Sequence, residues 1–173
     1  TRAARPRLLD HFLALAPEDR HTRFGGTMSD AAVAAYVERL DFGRDTLFGI
    51  FGDELELAGV GHFCMSDQAA ELGVSVLPHH RRRGIGTALV SRAATHARNH
   101  AIPVLFMHCL SSNQSIIRIA GRLGMQVVRD GVETEAHLSL APASLASLAG
   151  EWVEEGIALC DHSFRARFLA ARR

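Results

Sequence analysis

A turn of arginines and glycines between an apolar strand and a long helical pattern constrains this chain most. The run Val76–Thr87 reads Val-Leu-Pro-His-His-Arg-Arg-Arg-Gly-Ile-Gly-Thr. Such a turn presents the first N–H groups of the helix, which have no intrahelical partners. Glycines let an anion approach this backbone, and the positive helix end attracts it. The order strand, glycine turn, helix therefore favours a diphosphate site.

Two other phosphate-binding loops do not fit these residues. A P-loop needs a lysine after its last glycine, and Thr87 follows Gly86. A dinucleotide-binding fingerprint needs a third glycine where Leu89 stands, and an acidic residue about 20 positions on, where Leu105 stands. The remaining alternative is a solvated turn whose glycines only cap the helix.

The spacing of apolar residues along the rest of the chain predicts one domain of mixed α/β class. The first helix is predicted at Leu8–Ala16, with Pro17 marking its end, and a polar linker follows at Glu18–Thr27. Further helices are predicted at Asp30–Leu40, from the arginine turn to Asn99, and at Gln114–Leu123. Strands are predicted at Thr46–Phe51, Leu57–Met65, Ala70–Leu77, Val104–Leu110, Met125–Arg129 and Thr134–Leu140. Ser29 and Asn113 are the predicted N-caps of the second and fourth helices.

The order of these elements predicts how the sheet is assembled. The first two strands are separated by a short polar break and are expected to form an antiparallel hairpin. Val104–Leu110 is a continuous apolar run, typical of a strand buried on both faces, and is predicted to lie parallel to the third strand. We expect residues 1–140 to form the core and residues 141–173 a helical extension of the same domain, with apolar side chains at Leu145, Leu148, Trp152, Leu159, Phe164 and Phe168.

Composition narrows the partners. Lys plus Arg and Asp plus Glu number 19 each, so total charge favours neither nucleic acid nor an anionic membrane as a partner. No stretch reaches the roughly 18 apolar residues of a transmembrane helix, and Asp10 and His11 make the first apolar run too polar for a signal peptide. The three cysteines lack the CxxC spacing of a structural zinc site. We expect a cytoplasmic protein, with a homodimer left open.

Two motifs resemble a known family. Arg81, Gly84 and Gly86, in R-x-x-G-x-G spacing, resemble the acyl-CoA site of the GNAT superfamily of N-acyltransferases. Asn113, followed eleven residues later by Gly124, resembles the second motif of that family. The resemblance implies the GNAT fold, in which helices flank a mostly antiparallel sheet with one parallel, splayed strand pair.

The resemblance also implies acetyl-CoA, or a related acyl-CoA, as the acyl donor. The pantetheine arm would run beside the third strand like an added strand, and a backbone N–H near Val76 would polarise the thioester oxygen. The diphosphate would lie on the glycine turn. The implied cofactor-binding residues are Val74, Val76, Arg81, Arg82, Arg83, Gly84, Ile85, Gly86, Thr87 and Asn113.

The chain departs from the family pattern at two places. The second motif of the family carries a tyrosine seven residues after the Asn, as a proton donor to the leaving thiolate, and Ala120 stands there. The family also begins with a strand before the first helix, and Thr1–Arg7 barely provides one. Water could replace the tyrosine, as could Ser111, Ser112, Ser115 or His108.

Glu71, near the start of the third strand, resembles the position of a general-base glutamate in the family. The alternative is an exposed strand-end carboxylate. No metal is expected, although the chain has ten histidines. His79 and His80 are adjacent and should point apart, and His62 and Cys64 share a strand face but lack further ligands at a recognised spacing.

These observations predict an N-acetyltransferase that moves an acetyl group from acetyl-CoA directly to a primary amine, in first place a small molecule. A protein lysine is the alternative acceptor, because Ala16–Gly26 resembles a segment of bacterial protein-lysine acetyltransferases. A non-catalytic acyl-CoA-binding module is an alternative of a different class, motivated by the absent tyrosine.

Overall fold

A six-stranded sheet forms the centre of the computed structural model, which describes residues 2–66, 68–144, 148–149 and 151. The strand order is β1-β2-β3-β4-β6-β5. Every neighbouring pair is antiparallel except β3 and β4, which are parallel, as predicted. The strands are β1 (Asp45–Phe51), β2 (Leu57–Met65), β3 (Ala70–Val76), β4 (Val104–Leu110), β5 (Gln126–Asp130) and β6 (Glu133–Ser139).

Helices cover both faces of this sheet and enclose two apolar cores. The helices are α1 (Arg5–Leu13), α2 (Pro17–Phe24), α3 (Asp30–Arg39), α4 (Ile85–Asn99) and α5 (Gln114–Arg122). One core lies under α4 and α5 and includes Phe63, Leu89 and Leu105. The other lies between α1, α3 and the opposite face of the sheet and includes Phe12 and Val33. Among the described residues, no helix combines the length and apolar character that crossing a bilayer requires.

The segment between the first two predicted helices is itself a helix, so the prediction of a polar linker there is wrong. Pro17 occupies the first turn of α2, where its missing N–H costs nothing, instead of only ending the preceding helix. Gly25 ends α2 with a left-handed φ of 73°. Acidic side chains in the first turn and basic ones in the last turn match the helix dipole. These signals were legible in the sequence.

The prediction that β4 is buried on both faces is also wrong. Leu105 and Met107 are 0% and 2% exposed, but Phe106 is half-buried and His108 is exposed. The cause is the position of the first three helices, whose core includes residues of β2 but none of β4. One face of β4 therefore stays open at the site described below.

The first elements differ from the expectation in two further ways. Residues Arg2–Ala4 form a 3-10 turn that leads into α1, and no strand precedes α1 in the described part of the chain. Ser29 caps α3 as predicted, because its side chain accepts a hydrogen bond from Ala32 N–H. Of the predicted C-terminal helical segment, residues 145–147, 150 and 152–173 lie outside the described residues.

Arg20 in α2 joins the chain segments on either side of it. Its guanidinium is buried and donates to the carbonyl oxygens of Leu13 and Leu15 at the end of α1, at 2.8 and 3.0 Å. It also donates to the carbonyl of Met28, at 3.3 Å, and pairs with the Asp30 carboxylate, at 2.6 Å. Carbonyl groups at helix ends need such donors, so Arg20 fixes the relative positions of α1, α2 and α3.

Replacing Arg20 tests this function of its side chain. We expect Arg20→Gln to lower the free energy of unfolding by about 3 kcal/mol, because buried carbonyls and Asp30 lose a charged donor. Arg39→Gln, at an exposed position of α3, removes the same charge and should cost about 0.5 kcal/mol or less. Urea denaturation measures both values, and equal losses would contradict the proposed anchoring.

His11 connects α1 to the sheet. Its Nδ1–H donates to the carbonyl of Leu57 in β2 at 2.5 Å, and its Nε2 accepts from the Ser75 hydroxyl in β3 at 2.8 Å. Burial lowers the pKa of His11 to about 4. The folded protein therefore keeps this imidazole neutral at pH values where an exposed histidine is charged.

Stability should consequently fall in acid through His11. An unfolded histidine has a pKa of about 6.5, so between that pH and pH 4 the unfolded chain binds a proton that the folded chain does not. The contribution is complete above pH 6.5 and declines by about 3 kcal/mol as the pH falls to 4. We expect His11→Gln to flatten this part of the curve of unfolding free energy against pH. An unchanged slope in the variant would show that His11 is not the group responsible.

Candidate active site

A cleft of about 820 Å³ opens where β3 and β4 separate. The two strands pair only at Ala70–Leu105 and Glu71–Phe106 and diverge beyond these two positions. Residues of β3, of the arginine turn, of the first turn of α4, of α5 and of α2 line the cleft. All the predicted cofactor-binding residues line it except Arg83, which is exposed outside it.

The backbone of β3 offers hydrogen-bonding groups to this cleft. Leu77 N–H donates to the Ala58 carbonyl at the start of β2, at 2.9 Å. Because backbone groups alternate in direction along a strand, those of Val74 and Val76 point the other way, towards β4. β4 has already diverged at this level, so these amides and carbonyls face the gap between the strands.

The turn that follows β3 directs helical N–H groups at the same cleft. Gly84 has a φ of 82°, a conformation that other residues rarely adopt, and no side chain caps α4 at this position. The N–H groups of Ile85, Gly86 and Thr87 therefore form the positive end of the helix at the cleft wall. A Cβ at Gly86 would lie 2.9 Å from Ile119 of α5, so the glycine also permits the two helices to pack.

The three arginines of the turn have different surroundings. Arg81 donates through Nε to the Val76 carbonyl, at 3.1 Å, and pairs with Asp19 of α2, at 2.7 Å. Arg82 lines the cleft and has a left-handed φ of 63°. Arg83 points away from the lining. The structure thus brings two of the three predicted cations to the cleft, and one of them also joins the turn to α2.

The second motif places Asn113 and Ala120 differently. Asn113 lines the cleft and caps α5, because its side chain accepts from Ile116 N–H at 3.3 Å, as predicted. Ala120, at the tyrosine position of the family, is 1% exposed and packs into the core under α4 and α5. No side chain of the tyrosine type reaches the cleft from this position.

The four predicted replacements for that tyrosine separate into two groups. The Ser111 hydroxyl is engaged by the β5–β6 turn and by Thr134. His108 contacts the Glu135 carboxylate at 3.3 Å, on the exposed side of β4. Ser112 and Ser115 line the cleft at the start of α5. The two cleft serines are therefore the side chains placed to meet a leaving group there.

Glu71 lies at the last pairing position before the strands part. It faces Phe106 across the parallel pair and Cys64 across the antiparallel pair. Its side chain is exposed and does not belong to the lining of the cleft itself. The carboxylate is thus next to the point where the gap begins, on the face of the sheet that carries α1, α2 and α3.

A polar cluster on this face was missed in the sequence. His62 Nε2 lies 3.4 Å from Asp45 Oδ2 and 3.1 Å from Cys64 Sγ. Sheet register places Asp45 directly across from Cys64, so a third group with ligand chemistry lies beside His62 and Cys64 although no recognised sequence spacing predicts it. Burial lowers the pKa of His62 and raises the pKa of the Cys64 thiol to about 11. Tyr36 Oη contacts His62 Nδ1 at 2.6 Å.

The adjacent histidines of the turn also depart from the prediction. The rings of His79 and His80 lie 4.3 Å apart, because both residues belong to a 3-10 turn rather than an extended segment. His80 is buried and contacts the Glu56 carboxylate at 2.7 Å. This contact attaches the turn to the β1–β2 hairpin.

The chain matches one family model and is similar in fold to several solved structures. The model of the acetyltransferase (GNAT) family matches residues 12–125, and no curated protein matches the chain significantly. The GNAT domain of S. lividans PAT is similar in fold, with 20% identity and a TM-score of 0.68 over 80% of this chain and 86% of that chain. yncA of Salmonella typhimurium, solved with its cofactor acetyl-CoA, is 20% identical, with a TM-score of 0.63 over 83% of this chain and 92% of that chain. The ribosomal-protein-S18-alanine N-acetyltransferase of Escherichia coli is 18% identical, with a TM-score of 0.58 over 79% of this chain and 92% of that chain.

A substitution at Gly84 tests the turn. Because Gly84 is left-handed, Gly84→Ala should cost about 1–2 kcal/mol of unfolding free energy and weaken acetyl-CoA binding about tenfold, as the first N–H groups of α4 shift. Gly131→Ala, at a φ of 58° in the β5–β6 turn, imposes similar strain away from the cleft. Denaturation and calorimetric titration separate the two effects. Equal losses of affinity in both variants would contradict a direct function of the turn.

Proposed function

This chain belongs to the GNAT family of acetyltransferases and is an acyl-CoA N-acyltransferase, and we propose that it transfers an acetyl group from acetyl-CoA to the primary amine of a small molecule. The observation that carries the proposal is the gap beside β3, which opens onto the helical N–H groups of the glycine turn.

The donor is proposed to lie along this gap. Its pantetheine amides pair with the backbone of Val74 and Val76, which faces the gap, and its diphosphate accepts from the first N–H groups of α4. Arg82 adds positive charge, and Asn113 lies at the opposite wall. Thr87 completes the predicted set within the first turn of α4.

The amine needs help to lose its proton. An alkylammonium with a pKa of about 10.4 is deprotonated to about 1 part in 2,500 at pH 7, which corresponds to about 4.6 kcal/mol. We assign the base to Glu71, acting directly or through a water molecule, since it lies where the strands part. The amine nitrogen then attacks the thioester carbonyl, and a backbone N–H of β3 stabilises the oxyanion.

Protonation of the leaving thiolate needs less assistance than deprotonation of the amine. A thiol pKa of about 8.5 makes protonation at pH 7 worth about 2 kcal/mol, so catalysis does not depend on a tyrosine. When the C–S bond breaks, the electron pair stays on sulfur, and the proton that the attacking nitrogen loses reaches the thiolate through a relay of Ser112, Ser115 or water. Both serines line the cleft.

The walls of the cleft support a small acceptor. Asp19, Thr22 and Arg23 of α2 line it opposite α5, so a group that reaches the thioester passes between a helix and the diverging strands. A small amine fits between such walls without contacts elsewhere on the protein surface.

Replacing Glu71 tests the assignment of the base. We expect Glu71→Gln to lower kcat about 100-fold or more at pH 7, with little change in the KM for acetyl-CoA. The deficit should narrow as the pH approaches the pKa of the amine, because the free amine then needs no base. Release of free thiol across a pH series measures this. A profile identical to that of the wild type would remove Glu71 from the mechanism.

The acceptor class is tested with the same thiol assay. A panel of small primary amines should support turnover, whereas turnover only with lysine peptides would identify a protein acceptor. Binding of acetyl-CoA without thiol release from any amine or peptide would favour the non-catalytic module.

A further inference from the structure

One cation in the cleft takes no part in the proposed binding of acetyl-CoA or in the proposed proton transfers. Arg23 of α2 lines the cleft, with its guanidinium 5.0 Å from the ring centre of Phe24 and 6.0 Å from that of Phe12. It lies directly over Gly73 of β3, where a Cβ would come within 2.4 Å of the guanidinium carbon. Two aromatic rings and a bare stretch of backbone therefore hold this charge against the strand that forms the gap.

This cation lacks a counter-ion. Among the described residues, no carboxylate forms an ion pair with Arg23, and its Nε is buried without a hydrogen-bond partner. Arg20, three residues earlier on the same helix, has carbonyl partners and the carboxylate of Asp30. A buried N–H donor without a partner is unfavourable, and a half-buried cation without a counter-ion favours an anion in the adjoining cleft.

A chain of hydrogen bonds orients the guanidinium. Arg23 Nη2 donates to the Tyr36 hydroxyl at 3.4 Å, and this hydroxyl contacts His62 Nδ1 at 2.6 Å. Since arginine only donates, the Tyr36 proton points to His62 Nδ1, and His62 Nε2 carries the hydrogen that faces Asp45. The Asp45 carboxylate thus pairs with the far end of the chain and not with Arg23, whose side-chain hydrogen bond among the described residues is the one to Tyr36.

The distance between Arg23 and the proposed base, Glu71, sets the length of a molecule that could carry both the amine and an anionic group. Gly73 follows Glu71 by two residues on the same face of β3, about 7 Å along the strand. A carboxylate on Arg23 and an amine near Glu71 are therefore separated by a few methylene groups. A molecule with both groups reaches Arg23 and the thioester together.

We propose that Arg23 binds a carboxylate of the acceptor, so that the preferred substrates are amines that carry a carboxylate, such as short ω-amino acids. This specificity rests on the acetyltransferase function proposed above. Guanidinium and carboxylate match each other geometrically through paired hydrogen bonds, and the flanking aromatic rings reduce competition from water.

The test uses acceptors that differ only at the carboxylate. γ-Aminobutyrate and 5-aminopentanoate are compared with their carboxamides in the thiol-release assay. With the wild-type protein we expect kcat/KM to be about tenfold or more higher for the acids. In Arg23→Gln this preference should disappear through a raised KM for the acids, with the carboxamides and the KM for acetyl-CoA little changed. Arg23→Lys keeps the charge and should retain part of the preference.

Arg39→Gln is the matched control, because it removes one positive charge from an exposed position on the neighbouring helix. The acid preference should persist in this variant. A wild-type protein that does not distinguish acids from carboxamides would overturn the proposal. Equal losses for both classes in Arg23→Gln would also overturn it, since they would indicate a structural function of Arg23.

Failure of the proposed acetyl transfer is recognised separately. If no amine releases thiol, melting temperatures of the CoA-saturated protein decide the matter. A rise with either amino acid in the wild type and in Arg39→Gln, but not in Arg23→Gln, supports a carboxylate site without turnover. No rise with either amino acid, or the same rise in Arg23→Gln, overturns it.

Discussion

The chemistry of this protein depends on a strand pair that begins and then stops. β3 and β4 pair at two positions and then separate, while the other edge of β3 stays bonded to β2 along its length. Backbone N–H and C=O groups need partners. The Val76 carbonyl accepts from Arg81 Nε, whereas the Val76 N–H and the backbone groups of Val74 face a gap instead of a strand. In the proposed function, the pantetheine arm of acetyl-CoA supplies the missing partners. In the same proposal, an acceptor reaches the thioester from the face that carries α1–α3.

Contacts between side chains attach the arginine turn to α2, to β3 and to the β1–β2 hairpin. Arg81 joins the arginine turn to α2 through Asp19 and to β3 through the Val76 carbonyl. His80 joins the turn to the β1–β2 hairpin through Glu56. The wall that carries Arg23 and the turn proposed to hold the diphosphate are therefore attached to the same strand. The proposed donor and acceptor positions are therefore connected through side-chain contacts of the protein itself.

Sequence patterns predicted what depends on neighbours in the chain. The glycine turn, the Asn113 cap and the parallel pairing of β3 with β4 follow from local motifs and element order, and the structure contains all three. The helix at α2 was missed because Pro17 was interpreted only as the end of the preceding helix, although it also starts the next one.

The remaining errors arise from contacts between distant segments. Asp45 reaches His62 only through the register of β1 and β2, and Arg23 reaches Gly73 only because α2 packs across β3. The open face of β4 depends on which strands the first three helices cover. None of these spatial arrangements depends on a fixed spacing along the chain, so no sequence motif predicts them.

A crystal structure of the protein with acetyl-CoA tests the central claim most directly. We expect the pantetheine amides to pair with the backbone of Val74 and Val76 between the diverging strands, and the diphosphate to accept from the N–H groups of Ile85–Thr87. A diphosphate bound elsewhere, or a pantetheine arm outside the gap between β3 and β4, would contradict it.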